Sequence, residues 1–339
     1  MPATLGLFCY VRNEEALLGK ALESVRPVVD ELVVIDTGST DNTPAIAREY
    51  ADRVVEWAWG DDFAAASNFG ASLIESDYAG KWDGDWVLSP DSQAAIRSLK
   101  ADGFQEKDLW EGRWISEFES DLTPRIVNRK TFFYRRGEFK WQGLAHDYLV
   151  PLDTTKAREA PWYRSHHLHP QNPPSWIGYA AEITVYHYKD PHANERHDQT
   201  LRLIDTELGL VANPEERERL LYFGVNRAVF AGDFARAWNY LALLPRNPPA
   251  WAQERTASLL FAEQDFETLS TYLDSLKIAT PQLDLIRADY WAVHDPERAV
   301  SHYRRFLQNH PYTRRDLNVD FQRYLDHPRR MLGLLTNSQ

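Results

Sequence analysis

The chain has a single cysteine, Cys9, in 339 residues. One thiol excludes an intramolecular disulfide and a cysteine-built zinc cluster, and it fits a reducing compartment. Long apolar runs are missing as well: none approaches the roughly 18 residues of a membrane span. The N-terminus has neither the basic start nor the long apolar stretch of a signal peptide. The expectation is therefore a soluble, cytoplasmic protein. Positive charge is in the minority, with 38 Lys and Arg against 50 Asp and Glu and a formal net charge of -12. That balance argues against a large nucleic-acid footprint, which needs a basic face. A local basic groove stays open. Glycine-rich phosphate loops are absent too. No Gly-x-Gly-x-x-Gly follows the first strand, and no Gly-x-x-x-x-Gly-Lys-Ser/Thr occurs anywhere. This weighs against a dinucleotide fold and a P-loop.

What is present is apolar and aromatic. Hydrophobic residues make up 43% and aromatics 13%, with 12 Trp and 16 Tyr. This is enough for sizeable cores, and the length allows about two domains. The first ninety residues alternate between short apolar runs and helical periodicity. Leu5 to Val11 reads as a strand. Asn13 can cap the following helix, with Glu14 and Glu15 in its first turn. Glu31 to Asp36 and Arg53 to Trp57 read as the second and third strands. Phe63 to Ile74 is helical, starting at Asp61 or Asp62. Asp85 to Leu88 is expected to be the fourth strand, ending at Asp91-Ser92-Gln93. Such alternation predicts a mainly parallel sheet with right-handed crossovers.

The most informative segment is Leu32 to Thr43. It reads as a buried strand that delivers Asp36 to its C-terminal end, followed at once by the polar turn Thr37-Gly38-Ser39-Thr40-Asp41. In open α/β sheets, ligands collect at the carboxyl ends of strands. A carboxylate there can accept two hydrogen bonds, as a ribose diol or a uracil ring requires. The segment points to a nucleotide.

The second half is helical. From about Asp198 strand signals fade, and three helix pairs follow Pro214. Their turns carry Asp233, Asp265 and Asp295, spaced 32 and then 30 residues apart. Helix-pair repeats near 34 residues are the tetratricopeptide pattern; an unrelated helical bundle is the alternative. The expected division is an α/β domain over 1–195 and a helical-repeat domain over 196–339. Such repeats can bind a protein partner, form a homodimer, or stiffen the chain.

Three stretches carry a resemblance: Tyr10-Val11-Arg12-Asn13-Glu14-Glu15, Val29 to Thr43, and Trp59-Gly60-Asp61-Asp62-Phe63 through Asn68. Their order and spacing resemble family 2 glycosyltransferases of the GT-A fold, in the branch with a tetratricopeptide-like C-terminal extension. The resemblance implies a nucleotide-sugar donor, with a UDP-sugar favoured, and transfer with inversion to an acceptor nucleophile. It implies that Tyr10, Arg12 and Glu14 flank the base and phosphates, and that Asp36, Gly38 and Ser39 hold the nucleoside. Asp62, Ser67 and Asn68 belong to the same donor region. Each has a plainer reading: Glu14 as helix N-terminal charge, Asp62 as a helix cap.

The family's Asp-x-Asp pair holds a divalent metal, Mn or Mg, which bridges the donor diphosphate. The expected counterpart is Asp91-Ser92-Gln93, whose second member is an amide. The family has Arg where this chain has Ser67. Both departures would fall on the phosphate and metal side. Gly143-Leu144-Ala145-His146-Asp147 looks like the family's Gly-x-x-His-Glu element. His187 is a further candidate metal ligand or acceptor contact. The base for the acceptor proton is sought among Asp147, Glu117, Glu119 and Asp121, with Asp147 first because it lies in a matched motif. His166, His167 and His169 read as a loop rather than a metal cluster. Arg125, Arg129, Arg135, Arg136 and Lys140 form a basic cluster, where any nucleic-acid contact is expected. The acceptor is left open between a protein, a glycan and a modified DNA base. An alternative to catalysis is a degenerate domain serving as a nucleotide-binding or protein-interaction scaffold.

Overall fold

A computed structural model describes residues 1–159, 174–188, 195–311, 319–320 and 322–337. The expected histidine loop at 166–169 lies outside them. The chain forms two compact units. The first comprises 1–117 and 128–216, the second 118–127 and 217–339. The expected domain boundary at 195/196 coincides with the start of a helix, and the division into compact units falls at 216/217.

The first unit opens with β1 (Leu5–Val11), α1 (Leu18–Val25), β2 (Glu31–Asp36), α2 (Thr43–Tyr50), β3 (Arg53–Glu56) and α3 (Phe63–Leu73). β1 and β2 are buried almost throughout. That is how a central parallel strand covered on both faces reads. Leu5, Leu7, Cys9 and Val11 face the α1 side, packing with Leu18, Leu22 and Val25. Phe8 belongs to the opposite cluster with Val33, Ile35 and Ile74. α3 lies against Phe8, and only a glycine allows it: a Cβ on Gly70 would sit 2.3 Å from the Phe8 ring.

The chain continues through β4 (Tyr78–Lys81), β5 (Trp86–Leu88), α4 (Ser92–Ala101), β6 (Leu109–Phe118), β7 (Pro124–Arg135), β8 (Phe139–Gln142), β9 (Tyr148–Pro151), α5 (Thr154–Glu159), β10 (Ile177–His187) and α6 (Glu195–Leu210). The main sheet runs β3-β2-β1-β4-β7-β6-β10-β5. β3, β2, β1 and β4 are parallel; β7 is antiparallel to β4, and β5 to β10. β8 and β9 form a separate hairpin. The mainly parallel, GT-A-like sheet with flanking helices is as expected.

One strand is displaced. The expected fourth parallel strand, Asp85 to Leu88, is not beside β1. That place belongs to Tyr78–Lys81, which pairs in parallel with Leu5 to Phe8. Tyr-Ala-Gly-Lys has little strand propensity, but tertiary packing overrides that. A side chain at Gly80 would come within 2.4 Å of the Phe132 carbonyl. The small residue is what lets β7 close on β4.

In the second unit the helices pair as the spacing predicts: α7 (Pro214–Phe230) with α8 (Phe234–Ala242), α9 (Ala250–Ala262) with α10 (Phe266–Ser275), and α11 (Pro281–His294) with α12 (Pro296–Asn309). Asp233, Asp265 and Asp295 do the same work at each turn. Each carboxylate accepts the backbone N–H three residues on, at 3.0, 3.2 and 3.0 Å. The final helix is α13 (His327–Asn337).

Candidate active site

The parallel register fixes the site. Val11 lies opposite Asp36, so β1 and β2 end level and their loops run side by side. Backbone latches join them. Asn13 N–H donates to Ser39 Oγ at 3.0 Å, and Asn13 Oδ1 accepts Thr40 N–H at 2.8 Å. Glu14 N–H donates to Thr43 Oγ1 at 2.7 Å, and Glu15 accepts the Asn42 N–H at 3.0 Å. Gly38 adopts φ +101°, open to glycine, and turns the chain back. Asp36 is 7% exposed. One of its oxygens accepts Ser39 N–H at 3.0 Å; the other has no partner among the described residues. The Tyr10 ring stands between Trp59 and Phe63, 6.3 Å from each. Burial, then Asp147, raises the pKa of its hydroxyl, which stays neutral. Arg12 is exposed with no described partner.

The acidic half lies at the end of β4. The Asp83-Gly84-Asp85 turn follows Lys81-Trp82 and packs on the end of β1. A Cβ on Gly84 would meet Val11 Cγ1 at 3.3 Å and Glu14 Cβ at 3.4 Å. Asp85 Oδ2 lies 3.0 Å from His187 Nε2, at the end of β10. The His187 ring stacks on Trp114 at 4.9 Å and 23°. Burial, with Asp83, Glu14 and Asp85 adding, pushes the Cys9 thiol well above its usual range.

Lys81 forms the wall near Tyr10. Its Nζ donates to both Asp147 oxygens, at 2.9 and 3.0 Å, and lies 4.7 Å over the Tyr10 ring. Burial alone would lower its pKa, but Asp147, then Tyr10 and Asp83, outweigh this and hold it well above the lysine range. Ser67, fully buried, donates its hydroxyl to Asp147.

Several expected roles change. Asp91 and Gln93 are not at the end of a parallel strand. Asp91 is exposed at the start of α4, and Gln93 is in its first turn, donating to the Ser24 carbonyl at 3.3 Å. The acid pair at the strand end is Asp83 and Asp85, so the Gln93 amide does not stand in for a missing acid there. Ser67 is engaged with Asp147. Asp147 is bonded to both Lys81 and Ser67. Asp62 caps α3, accepting Ala65 N–H at 2.8 Å. Asn68 is structural, with both ends of its amide bonded to the Trp141 backbone at 2.9 Å. Glu119 lies beyond β6, exposed, in an ion pair with Arg125 at 3.6 Å, and belongs with Asp121 to the second unit. Glu117, in β6, belongs to the first.

The basic cluster is largely consumed. Arg129 pairs with Glu111, Arg135 with Asp108 at 3.0 Å, and Arg136 donates to the Ser76 carbonyl at 2.8 Å. Sequence reasoning missed Lys81, Asp83 and Asp85. The Asp-Gly-Asp triplet was visible, but the weak strand before it disguised its place.

The donor set fits a divalent ion shared with a substrate. Among the described residues no three His, Cys, Asp or Glu converge as a complete cage. Asp85 and His187, with Asp83 two residues from Asp85, supply oxygen and nitrogen donors. An octahedral ion would complete its shell with phosphate oxygens and water.

Residues 9–105, which include Tyr10, Asp36 and the acid pair, match the Glycosyl transferase family 2 model. The likeness read from the sequence is found again there. A TPR repeat-containing protein of Synechococcus elongatus is 41% identical over 96 residues, covering 28% of this chain and 24% of that protein. The SPbeta prophage-derived glycosyltransferase SunS of Bacillus subtilis is 25% identical over 301 residues, covering 85% of this chain and 65% of the relative. Among solved structures, glucosyl-3-phosphoglycerate synthase of Mycobacterium tuberculosis, in complex with Mn2+, UDP and phosphoglyceric acid, has 16% identity. It aligns with a TM-score of 0.41, covering 62% of this chain and 80% of that one. The chain spans between 24% and 65% of the length of these two curated relatives. No helix among the described residues is long and apolar enough to cross a membrane.

Proposed function

We propose that the first unit transfers a sugar from a nucleotide-diphosphate sugar, with UDP favoured, to an acceptor nucleophile with inversion. The observation that carries this reading is the alignment of three strand ends. Asp36, with one carboxylate oxygen open, stands beside the end of β1, and the Asp83–Asp85 turn packs on that same end. A ribose diol or base edge would donate to Asp36. The aromatic wall of Tyr10, Trp59 and Phe63 would exclude water from the nucleoside. Asp85 and His187, with Asp83, would hold a Mn or Mg ion, which when bound neutralises charge on the departing diphosphate. The new glycosidic bond forms as the bond between the anomeric carbon and the phosphate oxygen breaks, the nucleoside diphosphate departs with that electron pair, and the acceptor proton passes to a base. Asp147, which bonds to Lys81 and Ser67, and Glu117 in β6 are the base candidates of the first unit.

The acceptor is a protein, a glycan or a modified base. Pairing of the β7 arginines argues for the first two, since a flipped base needs a basic landing surface. The scaffold reading rested on Ser67 and Gln93. Ser67 has a structural partner and Gln93 lies outside the acid pair, so that support falls away. The helical pairs would recruit a protein partner or a second copy, and the lone Cys9 suits the reducing cytoplasm.

A thermal-shift panel of UDP-, GDP-, CDP- and dTDP-sugars, with and without Mn2+, tests the reading, because binding to the folded state raises stability by mass action. A metal-dependent shift with one nucleotide, followed by donor hydrolysis or transfer, is expected. A nucleotide shift that survives Asp36→Ala unchanged would sink the nucleoside assignment.

A further inference from the structure

We infer that the cavity between α11 and α12 is a binding site for a dianionic oxyanion of the phosphate type, held by Arg287, His302 and Arg305. All three belong to the second unit, so the site is independent of the sugar-transfer reading.

Asp284 and Arg287 of α11 line the cavity with His302, Arg305 and Phe306 of α12, and its volume is about 210 Å³. A water takes about 30 Å³, so a phosphate fits with a few waters around it. One wall is fixed. Arg287 donates through Nη1 to Asp284 at 3.4 Å and through Nη2 to the Leu273 carbonyl at 3.0 Å. The other Asp284 oxygen lies 3.1 Å from His310 Nε2. Asp284 is thus already answered by two partners, and Phe306, 1% exposed, is the apolar member of the lining.

The other wall is unanswered. Neither the His302 ring nor the Arg305 guanidinium makes a hydrogen bond or ion pair with a described residue. His302 is half-buried and stacks on Trp291 at 6.3 Å and 22°, and Arg298 lies 3.5 Å over that same Trp291 ring. Burial, then Arg305, Arg298 and Arg287, lowers the His302 pKa, with Asp284 opposing. Three arginines set against one carboxylate leave a surplus of two positive charges. A dianion matches that surplus; a single carboxylate does not. A guanidinium fork can grip phosphate oxygens in pairs, and the imidazole adds a ring N–H donor. The same anion can come as a free phosphate compound or as a phosphorylated side chain of a peptide.

The experiment follows the full-length protein by titration calorimetry and thermal unfolding. The probes are sodium sulfate, inorganic phosphate, acetate and a short phosphoserine peptide, each against sodium chloride at equal ionic strength. Sulfate and phosphate should stabilise the wild type beyond chloride, because they bind the folded state. Arg305→Gln should weaken both about tenfold, and Arg305→Lys less. Arg305 is exposed, so its replacement should leave unfolding without anion near wild type. His302→Asn should weaken the anions too, and none of these variants should alter UDP binding. Tighter binding of the phosphoserine peptide than of phosphate assigns the site to a peptide; the reverse assigns it to a free phosphate compound. The inference is overturned if chloride stabilises as well as sulfate does, or if acetate binds as tightly as phosphate. It is equally overturned if Arg305→Gln and His302→Asn bind sulfate and phosphate as the wild type does. Phosphate binding lost on Asp85→Ala but indifferent to Arg305 would place the anion in the first unit and remove this site. A nucleotide-sugar panel without any shift would sink the donor reading and leave this site standing.

Discussion

The two halves of the candidate site are held in opposite ways. Around Asp36 the polar groups answer one another: loop joins loop through backbone N–H groups, Asn13, Ser39 and Thr43. Beside Asp83 and Asp85 the Lys130 ammonium lies over the Trp86 ring, and the indole N–H groups of Trp86 and Trp114 have no hydrogen-bond partner among the described residues. The first half is complete before any ligand arrives, apart from one Asp36 oxygen and the exposed Arg12. The second has the character of a site finished by what it binds. Preorganisation belongs to the former, charge compensation to the latter.

Variants can break this contrast, beginning with the wall between the halves. Asp147→Ala leaves the Lys81 ammonium without its counter-ion at a site where the side chains are only 13% and 8% exposed. The expected loss is about 3–5 kcal/mol, read by denaturant unfolding. Adding Lys81→Met should recover much of it. The raised Lys81 pKa means this stabilisation is fully present below the unfolded lysine pKa. It fades only as pH rises through the folded value, so the neutral range should leave it untouched.

Asp85→Ala should lower transfer by about a hundredfold or more, while uridine binding stays near wild type. Equal loss of uridine binding would erase the distinction between the halves. Asp36→Ala should do the converse, weakening the nucleoside by roughly tenfold to a hundredfold in calorimetry. A smaller effect is expected in the second unit. Asp265→Ala removes the cap of α10 and should cost about 1 kcal/mol without altering nucleotide affinity.

The smallest effect concerns His302 in α12. Burial, then Arg305 and Arg298, lowers its pKa. A base whose folded pKa is depressed binds more protons unfolded, so stability falls as pH drops through about 6.5. His302→Asn should flatten that part of the stability–pH curve.

The same contrast explains what could be read from the chain. Asp36 was legible because a buried β-branched run and its polar turn are contiguous, and period and burial coincide over a dozen residues. The helix pairs were legible for a similar local reason, an aspartate cap at each turn. The acid half was not. Its members come from β4, β6, β7 and β10, joined only by tertiary packing. The run Trp86-Val87-Leu88 also looks more like a central strand than Tyr78-Ala79-Gly80-Lys81 does. Strand propensity favoured the wrong segment, and the acid pair proposed here lies eight residues before the expected one. Asn68 and Asp62 were found by position but have structural partners.

Cys9 gives the molecule a reporter of its own. It is fully buried in β1 beneath the acid turn, its thiol is held protonated, and it is the only cysteine in the chain. A thiol reagent can therefore reach it only when the central strand is uncovered. The labelling rate counts openings of the site's floor, one molecule at a time, without an engineered probe. Any compound that closes the site should slow that clock, which turns a structural cysteine into a screen for ligands.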